Sequence, residues 1–238
     1  MADFVQLWVY LSSTPLFGLT ATLSTYVLAQ AFYDRVQRAP WANPVLWSVV
    51  CIGAVLLLTR TPYPTYFAGA QFVHFLLGPA VVALAWPMWQ RRAEVQRRGL
   101  ALTIAAVLGA AAAAGSAVAL GWALDLPAEV VRSLAPKSVT APVAMGIAER
   151  VGGVPALAAV FAVITGMVGA LSAKVLFALL RIDDWAVRGF ALGTVSHGIG
   201  AARALQVHPD AGAYAGMALG LQVVLASLLM PLAFRLWG

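Results

Sequence analysis

The chain has 238 residues, 62% of them hydrophobic and 10% charged, and its mean hydropathy is +0.86. That balance excludes a soluble globular domain and identifies an integral membrane protein. The formal net charge of +6 comes without a basic patch interleaved with aromatics, so it reads as positively charged cytoplasmic loops and not as a nucleic-acid surface.

Uncharged runs at Phe4–Tyr33, Trp41–Thr59, Thr61–Gln90, Gly99–Leu124, Val154–Ala173 and Ala211–Phe234 each hold enough residues for a bilayer-spanning helix. The expected architecture is an all-α polytopic membrane protein with seven or eight transmembrane segments, forming a single membrane domain over residues 1–238. Broken-helix segments are expected near 71–89, 131–150 and 189–205.

Pro15 divides the first run and leaves a helix over Leu16–Tyr33, followed by the charged residues Asp34, Arg35 and Arg38. Trp41 and Trp47 near one end of the second run suit the headgroup region. Cys51, the sole cysteine, excludes an internal disulfide and reads as a small core residue. Arg60–Pro64 reads as a turn, because Pro62 and Pro64 oppose regular helix. The next hydrophobic segment is interrupted at Gly78-Pro79 and again at Pro87, and His74, one turn before the break, reads as a packed neutral histidine. Gln90–Arg98 holds Arg91, Arg92, Arg97 and Arg98 against Glu94 and is expected to be a cytoplasmic loop. Gly99–Leu124 is an Ala- and Gly-rich span suited to close helix packing.

The stretch Val131–Arg150, VRSLAPKSVTAPVAMGIAER, organises the chain. Pro136 and Pro142 each lack a backbone N–H, so a continuous helix through both is disfavoured and a break is expected. A helix restarting near Pro142 would direct its positive end at Lys137, Ser138 and Thr140, an arrangement suited to a carboxylate. An extramembrane loop is the other reading; Ser138–Ala148 alone is too short to span. Leu77-Gly78-Pro79 with Val82 matches Leu134-Ala135-Pro136 with Val139 at an offset of 57 residues, the mark of a diverged internal repeat.

Val154–Ala173 is the following span, with Gly166 and Gly169 as close-contact positions, and Arg181–Arg188 is a charged loop. Gly198 and Gly200, with Gly193, flank Thr194, Ser196 and His197, so a second helix break is expected there. Arg203 falls within the apolar region, where a charge costs about 2.5–3.5 kcal/mol on insertion scales unless it faces a cavity or partner. His208 is expected in an exposed turn. The charge rule places Arg35, Arg38, Lys174, Arg181, Arg188 and Arg235 on the side of the Arg91–Arg98 cluster if Val131–Arg150 is re-entrant, with seven spans; a full crossing gives eight spans and moves the Arg181–Arg188 loop to the other side.

Lys137 is the leading anion contact, with snorkelling to the interface as its other reading. Arg203 suits a bidentate grip on a carboxylate, or a structural pair with Glu149 or an aspartate. His197 suits a coupling proton, or a hydrogen-bonded structural role. One cysteine and three scattered histidines make no metal site, and neither a phosphate-binding glycine loop nor a nucleophile elbow is present, so neither cofactor nor enzyme activity is expected.

HFLLGPAVVALAWP (His74–Pro87), LAPKSVTAPVAM (Leu134–Met145), VGGVPALAAVFAVITGMVGA (Val151–Ala170) and RGFALGTVSHGIGAARAL (Arg188–Leu205) resemble the LrgB/CidB family of bacterial inner-membrane proteins, over about Leu16 to Phe234. The resemblance implies a holin/antiholin-like role that modulates murein hydrolase activity and lysis, beside a small LrgA/CidA-like membrane partner and with assembly into a homo-oligomer. It also implies secondary transport, because relatives such as the plastid glycolate/glycerate translocator move glycolate, glycerate, pyruvate or 3-hydroxypropionate. The family's polar centre falls on Lys137, Ser138, Thr140, Ser196, His197 and Arg203. Ala141 stands where relatives often have a second threonine, and Gly198 and Ala201 replace an alanine and a threonine, which leaves carboxylate binding intact but not a specific hydroxy-acid preference.

Overall fold

A computed structural model describes residues 15–76, 79, 85–90 and 92–237, and every regular element among them is helical. They pack as two compact units, Met1–Val81 and Val82–Gly238.

In the first unit, α1 (Pro15–Arg35), a 3-10 turn (Pro40–Ala42), α2 (Pro44–Thr59) and α3 (Tyr63–Phe75) follow one another. Asn43 caps α2, its Oδ1 accepting from the N–H groups of Val45 and Leu46 at 2.9 and 3.3 Å, with Pro44 in the first turn where its missing N–H costs nothing. α1 and α3 approach closely at Gly18, where a Cβ would strike the Tyr66 carbonyl, and Thr22 Oγ1 and Tyr66 OH share a 2.7 Å hydrogen bond one turn away. The expected turn at Arg60–Pro64 is shorter than the sequence suggests: Pro64 enters the first turn of α3, where proline is tolerated. Cys51 lies on an exposed face of α2, not in a core.

The second unit holds α4 (Ala85–Gln90), α5 (Arg92–Ala123), α6 (Ala128–Leu134), α7 (Ala141–Val151), α8 (Pro155–Leu179), α9 (Trp185–Val207) and α10 (Pro209–Trp237). The expected charged loop at Gln90–Arg98 is instead the opening of α5 from Arg92 onward. No proline interrupts that stretch, arginine is a good helix former, and Glu94 in the first turn complements the helix dipole. Glu94 also accepts a hydrogen bond from Tyr214 OH, and Gln222 Nε2 donates to the Ala106 carbonyl at 2.8 Å, so α5 and α10 run side by side in the same direction.

Among the described residues, three helices are long and apolar enough to cross a membrane: Gln96–Ala123, Pro155–Leu179 and Pro209–Leu236. This is fewer than the seven or eight expected from apolar runs. α2 has 16 residues, and α6 and α7 have 7 and 11, too short to cross alone. The expected interruption at Gly78-Pro79 and the first copy of the expected repeat rest on residues outside the described ones, as do the part of the first apolar run before Pro15, Arg91 and the side chain of His74.

α9 is continuous by hydrogen bonding but reverses direction at His197, whose φ and ψ are 42° and −133°. Two relationships establish the reversal. Trp185 and His208, at opposite ends of the element, stack with ring centroids 4.9 Å apart, where a straight helix of that length would hold them about 35 Å apart. A Cβ on Gly200 would strike the Leu192 carbonyl and the Ser196 side chain, eight and four residues back. α9 is therefore a helical hairpin with both ends on one side, and the broken segment at 189–205 returns instead of crossing. Two expectations change as a result. Arg235, at the far end of α10, lies opposite the Arg92–Arg98 end of α5 and not beside it. His208 is half-buried against Trp185, not a freely exposed turn residue.

The first limb of the hairpin docks on α10 through Gly189 against Ala211 and Gly193 against Ala215, each so close that a Cβ would strike backbone. Small residues spaced by four on both helices allow this approach. Asp184 caps the limb, accepting from Ala186 and Val187 N–H at 2.7 and 3.1 Å.

Candidate functional site

The Val131–Arg150 stretch breaks between α6 and α7. Beyond Leu134 the backbone tightens into three-residue turns, Lys137 N–H donating to Leu134 O and Val139 N–H to Pro136 O, at 3.1 and 3.2 Å. Thr140 then adopts φ −58° and ψ 145° and precedes the first turn of α7, which holds Pro142. Thr140 does not cap that helix with its side chain.

Ser133 sets the depth at which this segment enters. Its hydroxyl donates to Glu129 O at 2.6 Å and accepts from Val154 N–H at 2.8 Å, so α6 lies beside the start of α8. Gly152 and Gly153 turn the chain between α7 and α8 with their backbone against Arg132 and Ser133; Gly152, at φ 75°, needs the conformational freedom of glycine. Val139 and Ala144, on either side of the break, are buried in one cluster with Ala162 of α8. The segment thus enters along the first two turns of α8 and returns along them as α7.

The α9 hairpin reaches α8 from the other end. Leu192 packs in a cluster with Ala173, and Cβ atoms on Gly169 and Gly166 would strike Ser196 and His197 respectively. His197 Nε2 lies 2.8 Å from Ala162 O; a carbonyl can only accept, so the ring carries its proton on Nε2. Both breaks therefore converge on α8 between Ala162 and Gly166, near the middle of its 25 residues.

Ser138, Thr140, Ser196 and His197 are buried at these two apices. The hydroxyls of Ser138, Thr140 and Ser196 have no hydrogen-bond partner among the described residues. A buried polar atom left unpaired costs about 1–3 kcal/mol, and such atoms are scarce in folded proteins, so three at two helix breaks make this region the candidate site. Lys137 is half-buried beside them, with no ion pair among the described residues. Arg203 is half-buried on the second limb of α9, six residues beyond the apex.

The expected break at Gly198 and Gly200 falls on His197 instead. Gly200 is needed for a different reason, the close approach of the two limbs, while a Cβ on Gly198 would meet no atom within 4 Å. Sequence reasoning missed Ser133, Gln222 and the Ala162 carbonyl. Gln222 carried a signal, as a lone uncharged polar residue within an apolar run; Ser133 stands beside Arg132, and the backbone carbonyl of Ala162 has no mark in the sequence. Among the described residues, no cluster of three or more His, Cys, Asp or Glu side chains is placed to hold a metal ion.

The sequence pattern of the LrgB-like family matches residues 22–236. Protein YxaC of Bacillus subtilis (strain 168), itself uncharacterized, is 31% identical over 216 residues, which cover 91% of this chain and 94% of YxaC. An uncharacterized protein of Haemophilus influenzae is 30% identical over 194 residues, covering 82% of this chain and 84% of its own. The holin-like protein CidB of Staphylococcus aureus (strain Mu50) is 26% identical over 238 residues, covering 100% of both chains. No solved structure matches the chain at a significant level. The family pattern runs through both broken segments and all three long apolar helices, and the chain belongs to the LrgB-like family.

Proposed function

We propose that this chain is a holin-like protein of the bacterial inner membrane, which lets solutes through the bilayer and thereby modulates murein hydrolase activity and lysis. Its similarity to staphylococcal CidB, end to end in both chains, carries this reading. Further copies of the chain and a small LrgA/CidA-like membrane protein are its partners in that role.

The three unpaired hydroxyls favour a second reading, a secondary transporter of small monocarboxylates of the glycolate, glycerate, pyruvate or 3-hydroxypropionate type. A carboxylate at the first break would meet the Lys137 ammonium, the Ser138 and Thr140 hydroxyls, and the N–H groups of Ala141 and Val143, which precede the first intrahelical bond of α7. Ser196 would add a hydroxyl from the second break, Arg203 a cation from the limb behind it, and His197 the coupling proton.

One experiment separates the two. The purified protein is placed in proteoliposomes with an imposed proton gradient, and uptake of labelled glycolate and pyruvate is followed for wild type and Lys137→Ala, alongside leak of an unrelated neutral solute. A pore without a solute site passes all three solutes, equally in both proteins. A transporter shows saturable acid uptake that is lost in Lys137→Ala while the neutral solute stays out. An impermeable vesicle in every case defeats both readings for the isolated chain.

A further inference from the structure

We propose that α5–α7 and α8–α9 are two copies of one unit, a long helix followed by a re-entrant hairpin, inserted in opposite orientations, and that the two hairpins are gates that open the central site alternately to the two faces. The gating half rests on the reading of the chain as a solute-moving protein; the inverted repeat stands on geometry alone.

The two units correspond element by element. A helix of 32 residues, α5, precedes the first hairpin and one of 25, α8, the second. The hairpins open after Pro127 and Asp184, each the residue before the first helical turn, and these are 57 residues apart. Their apices, Thr140 and His197, are the same distance apart, and helix resumes at Ala141 in one and Gly198 in the other. Each first limb, Ala128–Val139 and Trp185–Ser196, has twelve residues; the second is about 18 Å of helix, roughly half of a hydrocarbon core of about 30 Å, while in the first, regular helix ends at Leu134 and tight turns carry the chain on to the apex.

The orientations are opposed. α5 runs parallel to α10 through the Glu94–Tyr214 and Ala106–Gln222 bonds. α10 runs parallel to the first limb of α9 through Gly189–Ala211 and Gly193–Ala215. That limb is antiparallel to α8, since Leu192 lies at Ala173 while His197 lies at Gly166. α5 and α8 therefore point in opposite directions, and the hairpin after each turns back from a different end of the bundle. The repeat read from sequence, between Leu77–Val82 and Leu134–Val139, has the same 57-residue offset but pairs the first hairpin with an earlier segment. The pair found here shares little side-chain identity, because opposite insertion preserves where the backbone breaks and not which residues face a neighbour.

Such an arrangement gives the site two separate coverings. The α6–α7 limbs lie between the site and the end of the bundle where α8 begins, and the α9 limbs lie between it and the end where α8 finishes. Each apex is held to α8 by little polar bonding: the His197–Ala162 bond at one, and the Val139, Ala144 and Ala162 apolar contact at the other. A swing of either hairpin breaks no long hydrogen-bond ladder, because each limb satisfies its own backbone; the α6–α7 hairpin has to release the Ser133–Val154 bond, and the α9 hairpin has to carry α10 with it or part from it at Gly189 and Gly193.

The test uses single cysteines in a full-length Cys51→Ser chain, labelled by a membrane-impermeant maleimide in sealed right-side-out and inside-out vesicles. Leu124→Cys and Val154→Cys bracket the first hairpin; Leu180→Cys and Val207→Cys bracket the second, and all four native side chains are exposed. The inverted repeat requires Leu124→Cys and Val154→Cys to label from one face, and Leu180→Cys and Val207→Cys from the other. Members of either pair labelling from opposite faces would mean that the segment crosses the membrane, and would overturn the repeat. Alternating access further requires Gly198→Cys, whose Cβ has open space around it, to label from both faces, with Val195→Cys as the second apex position. Labelling from one face alone, or from neither, overturns the gates. None of these readouts needs a transported substrate, so a chain that moves no carboxylate still passes or fails them.

Discussion

The Nε2 atom of His197 lies 2.8 Å from the carbonyl oxygen of Ala162, joining the apex of one hairpin to the long helix on which the other hairpin also converges. The bond holds a backbone that histidine does not favour: φ 42° with ψ −133° suits glycine, and a side chain there is strained by about 1–3 kcal/mol. Two substitutions separate the bond from the strain. His197→Ala keeps the Cβ and loses the bond, whereas His197→Gly loses both bond and strain. Thermal unfolding of the purified protein in detergent should rank His197→Gly above His197→Ala, because the two lack the same bond and only alanine keeps the strain. An alanine variant as stable as the glycine variant would show that the positive φ relaxes once the bond is gone.

The unpaired hydroxyls make a prediction with an unusual sign. Ser138→Ala and Ser196→Ala remove atoms that have no partner among the described residues. Each should leave thermal stability unchanged or raise it by up to about 1 kcal/mol, because an unsatisfied buried group is deleted. If the hydroxyls bind solute, each variant should also weaken saturable uptake, by about three- to tenfold in apparent affinity for a lost hydrogen bond of roughly 0.5–1.5 kcal/mol. A marked drop in melting temperature would instead show that these hydroxyls are structural.

Ser133 provides the contrast. Its hydroxyl is fully buried and bonded on both sides, donating to Glu129 O and accepting from Val154 N–H. Ser133→Ala would leave the Val154 N–H without that partner at the start of α8, at a cost of about 1–3 kcal/mol. The melting temperature should fall. Loosening should also be greatest at Val154 and its neighbours, measurable as faster amide hydrogen exchange there than in the remainder of α8.

Much of this was legible in the sequence, and the exceptions have physical causes. The long apolar helices follow directly from run length, and both helix breaks lie where proline or clustered glycine interrupts an apolar run. The break in α9 nevertheless falls on His197 and not on its neighbouring glycines, because a tertiary bond to Ala162 fixes a conformation that local propensity opposes. Arg92–Arg98 looked like a loop because charge marks a membrane boundary, yet charge does not end a helix, and α5 begins at Arg92. The hairpin reversal was hidden for a related reason: fourteen uncharged residues after Arg188 are compatible with either a crossing or a return, and the Trp185–His208 stack and the approach of Gly200 to Leu192 distinguish them.

The glycines of α9 divide by what lies opposite them, and this gives a sharp mutational contrast. A Cβ at Gly189 or Gly193 would strike the backbone of Ala211 or Ala215, which cannot move aside as a flexible side chain can. Gly198, within the same element, faces open space. Alanine has the better helix propensity by roughly 0.5–1 kcal/mol, so with no clash Gly198→Ala should be neutral or mildly stabilising. At Gly193 the same gain is opposed by an overpacking cost of about 1–3 kcal/mol or more, because α9 and α10 must separate. Gly193→Ala should therefore lower the melting temperature while Gly198→Ala does not. The two variants differ by the same single methyl group, so general effects of alanine in detergent cancel between them. Equal melting temperatures would mean that the first limb of α9 does not lie against α10 as described, and that the parallel packing from which its orientation is deduced is wrong.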